Sequence, residues 1–178
     1  VVIQFNPKVI IWSFLIIPIV VIYPLLKRVT YFPQIALGLA FNWGVIVGSL
    51  NQDQNINYPI FYLYFAGVFL TIAYDTIYGF QDIKDDKKLG LKSLAILLEN
   101  NKKIIFYLFM ISFILFLTFF LNNFSNKITS FLCGFVIFII FSYQYFSFKR
   151  NKSLIKIFKT NVIYGGLISV LIAIQNYL

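Results

Sequence analysis

The sequence is poor in the residues that most soluble catalytic sites use. Its 178 residues include no histidine, one cysteine and six acidic residues, and only 12% are charged, whereas soluble domains carry about a quarter. These absences exclude an internal disulfide, a Cys/His zinc site and a Ser/His or Cys/His catalytic dyad. With 60% of its residues hydrophobic, the composition is typical of a protein that a lipid bilayer surrounds.

Long uncharged runs account for most of the chain. Six stretches lack Asp, Glu, Lys and Arg, and they are 18 to 24 residues long; about 20 helical residues span the hydrocarbon core of a membrane. Buried helices of a soluble domain would show polar faces with a 3.6-residue period, and these runs do not. We therefore predict an all-α, polytopic transmembrane helical bundle with six spans. The runs are 9–26, 29–52, 54–74, 104–126, 128–148 and 160–178.

Basic residues fall almost entirely on one side of this predicted bundle. If each run crosses once, 13 of the 15 lysines and arginines lie in the segments 27–28, 84–103 and 149–159, whereas Lys8 and Lys127 lie opposite. Such a bias marks the cytoplasmic side, or the matrix side in a mitochondrion. Topology and lipid headgroups thus explain the net charge of +9, and we expect membrane lipids but no nucleic acid as partners.

Four of the six acidic residues lie between Asp75 and Asp86, on the basic side. If the third span continued through this segment as one helix, Asp82 and Asp86 would each lie about 20° from the azimuth of Asp75. Carboxylates this close repel one another, and magnesium binds one or two carboxylates together with waters and substrate phosphates. The pattern predicts a metal site. A solvated loop of mixed charge is the alternative, above all for Lys84 and Asp85.

Two blocks of the sequence resemble the 4-hydroxybenzoate polyprenyltransferases of the UbiA superfamily. The first block comprises residues 23–34 and 37–44, and the second runs from residue 74 through Asp82, Asp85 and Asp86 to residues 90–93. The resemblance implies nine spanning helices and magnesium-dependent transfer of a polyprenyl group from its diphosphate to the ring of 4-hydroxybenzoate, a step of ubiquinone biosynthesis. It also implies a bacterial or mitochondrial inner membrane, with the site facing the cytoplasm or the matrix.

The resemblance assigns roles to individual residues. Asp82 and Asp86 match the second aspartate-rich motif of the family, and Lys27 and Arg28 match a basic pair that would act on the diphosphate. For Asn42, an interhelical hydrogen bond is the alternative to a substrate contact. The predicted catalytic residues are Asp82, Asp86 and Arg28, the predicted metal ligands are Asp75, Asp82 and Asp86, and the predicted substrate-binding residues are Lys27, Arg28, Asn42, Tyr78 and Lys92.

The first aspartate-rich motif of that family, N-D-x-x-D-x-x-x-D, does not occur in this sequence. The six runs match the last six of the nine family helices. We therefore expect residues 1–178 to form a single transmembrane prenyltransferase domain that lacks its N-terminal three helices and is inactive alone. Two other functions stay open: a non-catalytic membrane fragment, and an enzyme of this type with a different aromatic acceptor.

Overall fold

The computed structural model describes residues 5–53, 57–150 and 153–175 of the chain, and the regular secondary structure of these residues is helical. The helices α4 and α7 are central, because α4 contacts α3, α7 and α9, and α7 also contacts α8. In chain order the helices of the described residues are α1 (Pro7–Leu15), α2 (Ile17–Val29), α3 (Pro33–Asp53), α4 (Tyr58–Gly79), α5 (Ile83–Lys88), α6 (Leu94–Leu97), α7 (Lys103–Asn123), α8 (Lys127–Lys149) and α9 (Leu154–Gln175).

The long helices follow the predicted runs, because a helix satisfies its own backbone hydrogen bonds where lipid offers none. Within the described residues, five stretches are long and apolar enough to cross a membrane: Pro7–Val29, Pro33–Asn51, Tyr58–Gly79, Lys103–Asn123 and Lys127–Lys149. The sixth run coincides with α9, which starts at Leu154; residues 176–178 of that run lie outside the described residues. The prediction of a helical membrane bundle is confirmed, and the count of six spans stays a prediction.

The first span is interrupted at Ile16, between α1 and α2. Pro18 lies in the first turn of α2 and has no N–H to donate to the carbonyl of Phe14, which instead accepts a bond from the N–H of Ile16. The indole Nε1–H of Trp43 on α3 donates to the carbonyl of Trp12 at 2.7 Å, and the two indole rings stack with centroids 5.7 Å apart. Helix α3 is therefore tied to α1 one turn before the break between α1 and α2.

The third span does not continue through the acidic segment, so the expectation of one helix from Asp75 to Asp86 is wrong. Helix α4 ends at Gly79, residues 80–82 form a turn, and α5 begins at Ile83. The carboxylates at the two ends of this segment consequently belong to different helices. The equal azimuths calculated for a continuous helix do not apply.

Packing explains why the chain turns at this point. The ring of Phe80 contacts Phe148 of α8, with centroids 5.1 Å apart, and Ile83 is only 7% exposed. A Cβ atom on Gly79 would lie 3.2 Å from the Cβ atom of Ala95, so glycine lets α6 approach the end of α4. A straight continuation of α4 would carry these apolar side chains away from α6 and α8, and burial favours the turn.

Large apolar side chains of α4, α7 and α8 form the core. Phe109 and Phe120 of α7, Phe141 of α8 and Ile77 of α4 are fully buried, and the rings of Phe109 and Phe141 lie 5.3 Å apart. Many apolar side chains on the outer faces of α1, α2, α8 and α9 are exposed. Such a surface suits hydrocarbon, because lipid tails accept apolar groups that water would not.

Candidate functional site

The segment after α5 folds back onto the junction of α2 and α3. The backbone N–H of Lys92 donates to the carbonyl of Lys27 at 2.7 Å, and its ammonium donates to the carbonyl of Val29 at 3.1 Å. The same ammonium lies 5.6 Å from the centre of the Tyr31 ring. Gly90 has a φ of 67°, a conformation that glycine adopts without steric penalty. These contacts bring the predicted residue Lys92 to the end of α2.

Gln34 connects three helices at this end of the bundle. It lies in the first turn of α3 and is 4% exposed. Its side-chain oxygen accepts a hydrogen bond from the N–H of Leu94 at 3.1 Å, and its side chain is also the hydrogen-bond partner of Asp75. The Asp75 carboxylate interacts electrostatically with Lys27 and Asp82 as well. Asp75 is thus directed at the α2–α3 junction and α5.

Asp82 and Asp86 stand one helical turn apart at the start of α5. The N–H of Asp86 donates to the carbonyl of Asp82 at 2.7 Å, which is the i, i+4 bond that puts the two residues on one face. Asp86 is 8% exposed although it carries a carboxylate. The structure therefore keeps this pair of predicted ligands together and separates it from the helix that bears Asp75.

The lysines of this segment pair with other carboxylates. Lys88 pairs with Asp85 at 3.1 Å, with both side chains about three-quarters exposed, and Lys87 pairs with Glu99. Asp85 thus fits the alternative of a solvated loop. Within the described stretches of the chain, Asp82 and Asp86 take part in no ion pair.

The donor set fits magnesium in part. Two carboxylates one turn apart supply the hard oxygen ligands that this ion takes together with waters and phosphate oxygens. Across the residues that the structure describes, no three Asp, Glu, His or Cys side chains come close enough to form a metal-binding group. The structure thus offers the pair Asp82 and Asp86, and Asp75 as a third ligand stays a prediction.

The two basic residues of α2 differ in environment. Lys27 is half-buried and acts electrostatically on the Asp75 carboxylate, whereas Arg28 is exposed. Both lie in the last turn of α2, where a cation is favourable for the helix dipole. Lys27 is therefore brought to the acidic residues, and the role predicted for Arg28 stays a prediction.

A cavity of about 340 Å³ lies between α3, α4, α8 and α9. Its wall includes Tyr74, the residue before Asp75, and Phe158 of α9. The ring of Phe158 contacts Tyr74 at 5.8 Å and Tyr78 at 4.7 Å between centroids. Tyr78 therefore packs on the wall of the cavity. The lining residues are Phe41, Asn42, Gly67, Leu70, Thr71, Tyr74, Phe141, Gln144, Phe158, Asn161, Val162 and Gly165.

Asn42 lies deeper in the bundle than the carboxylates. It follows Gln34 by eight residues, which is about 12 Å along a helix. Its side-chain amide donates to the carbonyl of Gly38 and to the hydroxyl of Thr71, both at 2.9 Å. A Cβ atom on Gly67 would overlap the Asn42 oxygen. The interhelical hydrogen bond is therefore present, and Asn42 also lines the cavity.

Sequence reasoning missed a pair of amides in the same cavity. Gln144 of α8 is 1% exposed and donates a hydrogen bond to the side-chain oxygen of Asn161 on α9. The remaining Gln144 oxygen and Asn161 nitrogen have no hydrogen-bond partner among the described residues. Each is a polar amide inside an apolar run, which is a signal that a polar contact within the bundle is required.

Comparisons with known proteins give a consistent result. The model of the UbiA prenyltransferase family matches residues 1–163. The mitochondrial 4-hydroxybenzoate polyprenyltransferase of Rattus norvegicus is 52% identical over 89 residues, which are 48% of this chain and 23% of that protein. The protein of the same description from Dictyostelium discoideum is 47% identical over 94 residues, 52% of this chain and 20% of that protein. The chain thus matches between a fifth and a quarter of the length of these relatives.

A solved structure has the same fold. The apo structure of a UbiA homolog from Aeropyrum pernix K1 superposes with a TM-score of 0.75, covering 99% of this chain and 67% of that one, at 19% sequence identity. At this identity the likeness concerns the arrangement of helices.

Proposed function

Because the chain belongs to the UbiA prenyltransferase family, we propose that it serves in the transfer of a polyprenyl group from polyprenyl diphosphate to the ring of 4-hydroxybenzoate. The observation that carries the proposal is the carboxylate pair of Asp82 and Asp86, which stands one turn apart without an ion-pair partner among the described residues. The relatives named above are described as 4-hydroxybenzoate polyprenyltransferases, which supports the same acceptor here.

The residues around this pair suit a diphosphate. Asp82 and Asp86 would hold magnesium, and Asp75, whose carboxylate interacts electrostatically with Asp82, would be the third ligand. Magnesium, when bound, supplies positive charge that makes diphosphate a better leaving group. Lys27 and Lys92, joined by a 2.7 Å backbone hydrogen bond, add cationic side chains at the end of α2, and Arg28 extends this basic surface. Preorganised charges of this kind lower a barrier because they need no reorganisation during the reaction.

The cavity beside Tyr74 suits the polyprenyl chain. Its walls are mainly apolar, and they begin one residue from Asp75 and continue to Asn42. A polyprenyl chain bound in this cavity has its first carbon near Asp82 and Asp86, and its apolar tail is shielded from water by the cavity walls. The ring of Tyr78 packs against Phe158 on the cavity wall, and the faces of these rings stabilise the allylic cation formed when diphosphate departs. Exclusion of water protects that cation from hydrolysis.

The chain supplies part of the catalytic assembly under this proposal. Asp82 and Asp86 form one of two metal-binding halves, the other half belongs to an N-terminal part of the family fold, and residues 1–178 alone do not turn over. The absence of the N-D-x-x-D-x-x-x-D pattern from residues 1–178 supports this division. The protein acts in a bacterial or mitochondrial inner membrane, with its basic end on the cytoplasmic or matrix side, which the distribution of lysines and arginines supports.

The test is a transfer assay in membranes. The chain is produced alone or together with the N-terminal three-helix segment of a relative, and it is given polyprenyl diphosphate, labelled 4-hydroxybenzoate and magnesium. We expect prenylated product only from the combined protein, and about a 100-fold loss for Asp82→Asn, as for removal of one preorganised charge contact. Asp85→Asn is the matched control, because Asp85 pairs with Lys88 in solvent and its loss should leave the rate within about twofold.

Two results would contradict the proposal. Equal turnover in Asp82→Asn and wild type would contradict metal binding by Asp82. Turnover with other phenolic acids but not with 4-hydroxybenzoate would show that the acceptor is a different one. A chain that stays inactive with every partner segment, although folded by circular dichroism, would favour the non-catalytic alternative.

A further inference from the structure

A second cavity lies at the α5–α6 end of the bundle, and neither Asp82 nor Asp86 lines it. Its volume is about 500 Å³, within the range of roughly 300–1,000 Å³ that ligand sites occupy. One wall is the turn between α6 and α7, residues 99–103, and the other is the last turn of α8 with Tyr145, Phe148 and Lys149. None of these residues takes part in the site proposed for prenyl transfer.

The cavity is strongly basic. Lys102, Lys103 and Lys149 line it together with one carboxylate, Glu99, and that carboxylate already pairs with Lys87. In the part of the chain that the structure describes, none of the three lining lysines takes part in an ion pair. The cavity therefore presents uncompensated positive charge.

One of these lysines is held in place by aromatic rings. The ammonium of Lys102 lies 5.2 Å from the centre of the Phe80 ring and 5.6 Å from that of Phe148, and these two rings contact each other. Cation–π contacts orient an ammonium without neutralising its charge. Lys102 is thus preorganised to receive an anion from the open side of the cavity.

The depth of the cavity points to a lipid. Helix α7 begins at Lys103 and α8 ends at Lys149, and both helices are of membrane-spanning length and composition. The lysines therefore lie where the spans end, which is the level of lipid headgroups. Tyr145 continues the surface toward the hydrocarbon, because its ring contacts Phe106 at 5.2 Å and Phe146 at 5.8 Å.

Phe106 and Phe146 give the cavity an apolar extension. They are 38% and 53% exposed, so they form a lipid-facing track that runs from the basic cavity along α7 and α8. A free phosphate ion would use only the lysines. A phospholipid uses both the lysines and the track, and basic pockets between helices on the inner side of membranes are suited to anionic headgroups.

We propose that this cavity binds the phosphate of an anionic phospholipid, with the acyl chains lying on Phe106 and Phe146. Lys102, Lys103 and Lys149 surround the phosphate, and the amides of Asn100 and Asn101 at the rim donate hydrogen bonds to the glycerol oxygens. The lipid joins the turn before α7 to the end of α8, two segments that also flank the turn after α4.

The test measures lipid retention. The protein is purified from vesicles of equal phosphatidylglycerol and phosphatidylcholine, and the lipid that remains bound is counted by mass spectrometry. The variant carries Lys103→Gln and Lys149→Gln, two exposed positions at which a polar substitution does not disturb packing. The matched control carries Lys84→Gln and Lys159→Gln, which remove the same charge from exposed positions at the same end of the bundle.

We expect wild type and control to retain phosphatidylglycerol, and the cavity variant to bind it roughly 25-fold more weakly, since each of the two lysines near a membrane surface contributes about a fivefold factor. Equal losses in both double variants would show general attraction to the surface and overturn the proposal. Displacement of the lipid by millimolar inorganic phosphate in detergent would overturn it too, because the lysines would then suffice. Circular dichroism of each variant verifies folding, and Lys102→Gln provides an independent measurement at the ring-bound ammonium.

Discussion

Lys92 and Lys27 are joined by a backbone hydrogen bond of 2.7 Å, although the two membrane-length helices α3 and α4 and the short helix α5 separate them in the chain. The contact sets the segment between α5 and α6 against the end of α2. Without it, the carboxylates of α5 and the basic residues of α2 would belong to two independent surfaces. With it, they form one face of the bundle.

The ammonium of Lys92 should stabilise this docking. Lys92→Met removes its 3.1 Å bond to the carbonyl of Val29, and for a partly exposed charged hydrogen bond we expect a loss of about 1 kcal/mol. Backbone amides of residues 91–94 should then exchange hydrogen about fivefold faster in detergent micelles. Lys84→Met, an exposed position, should leave this exchange unchanged. Equal protection in Lys92→Met would mean that the backbone bond alone holds the segment.

Gln34 should contribute more to stability than its position near a helix end suggests. Gln34→Leu leaves the buried N–H of Leu94 without its acceptor and removes the side-chain partner of Asp75. An unsatisfied buried donor costs about 1–3 kcal/mol, so the unfolding midpoint in denaturant should fall. Gln81→Leu serves as control because Gln81 is exposed. If both variants unfold at the same midpoint, Gln34 does not connect the helices energetically.

Gly67 should tolerate no side chain while Asn42 stands opposite. A Cβ atom there overlaps the Asn42 oxygen, so Gly67→Ala should displace the amide from Thr71 and destabilise the bundle by about 1–3 kcal/mol. Asn42→Ala removes the obstacle, and the double variant should be more stable than the sum of the single effects by about 0.5–3 kcal/mol. Gly44→Ala is the control, because its Cβ would meet no atom within 4 Å. Additive effects in the double variant would contradict the contact.

Metal affinity should depend on the carboxylate pair independently of turnover. Electron paramagnetic resonance of Mn²⁺ in the presence of diphosphate should show at least about tenfold weaker binding for Asp86→Asn than for wild type, as expected when one of two carboxylate ligands is lost. Asp85→Asn should bind as wild type does. Asp75→Asn tests whether Asp75 is a third metal ligand or only a neighbouring charge. If Asp75 is a ligand, this variant should lose as much Mn²⁺ affinity as Asp86→Asn does.

The membrane bundle could be predicted because its signal is local. Each uncharged run is long enough for a span wherever it lies in the chain, and α7 and α8 follow their runs closely. The turn at residues 80–82 could not be predicted this way. It depends on Phe80 meeting Phe148 and on Ala95 approaching Gly79, and these contacts join segments that are distant in sequence.

The candidate site was likewise predictable only where its residues are close in sequence. Asp82 and Asp86 are four residues apart, so their common face follows from helical geometry alone. The part played by Gln34 required knowledge of where Leu94 lies. The amide pair of Gln144 and Asn161 belongs to two different spans, and only their packing brings the two polar groups together.

The hydrogen bond from Leu94 to Gln34 joins residues 60 positions apart, and the bond from Lys92 to Val29 joins residues 63 apart. Neither can form until the ribosome has released the chain beyond Leu94 and three apolar stretches have entered the bilayer. In the order of synthesis, the carboxylates of α5 therefore precede residues 92–94, whose contacts dock this part of the chain against α2 and α3. A chain that stopped before Lys92 would contain α1 to α5 and the carboxylates of α5, but neither of these two contacts.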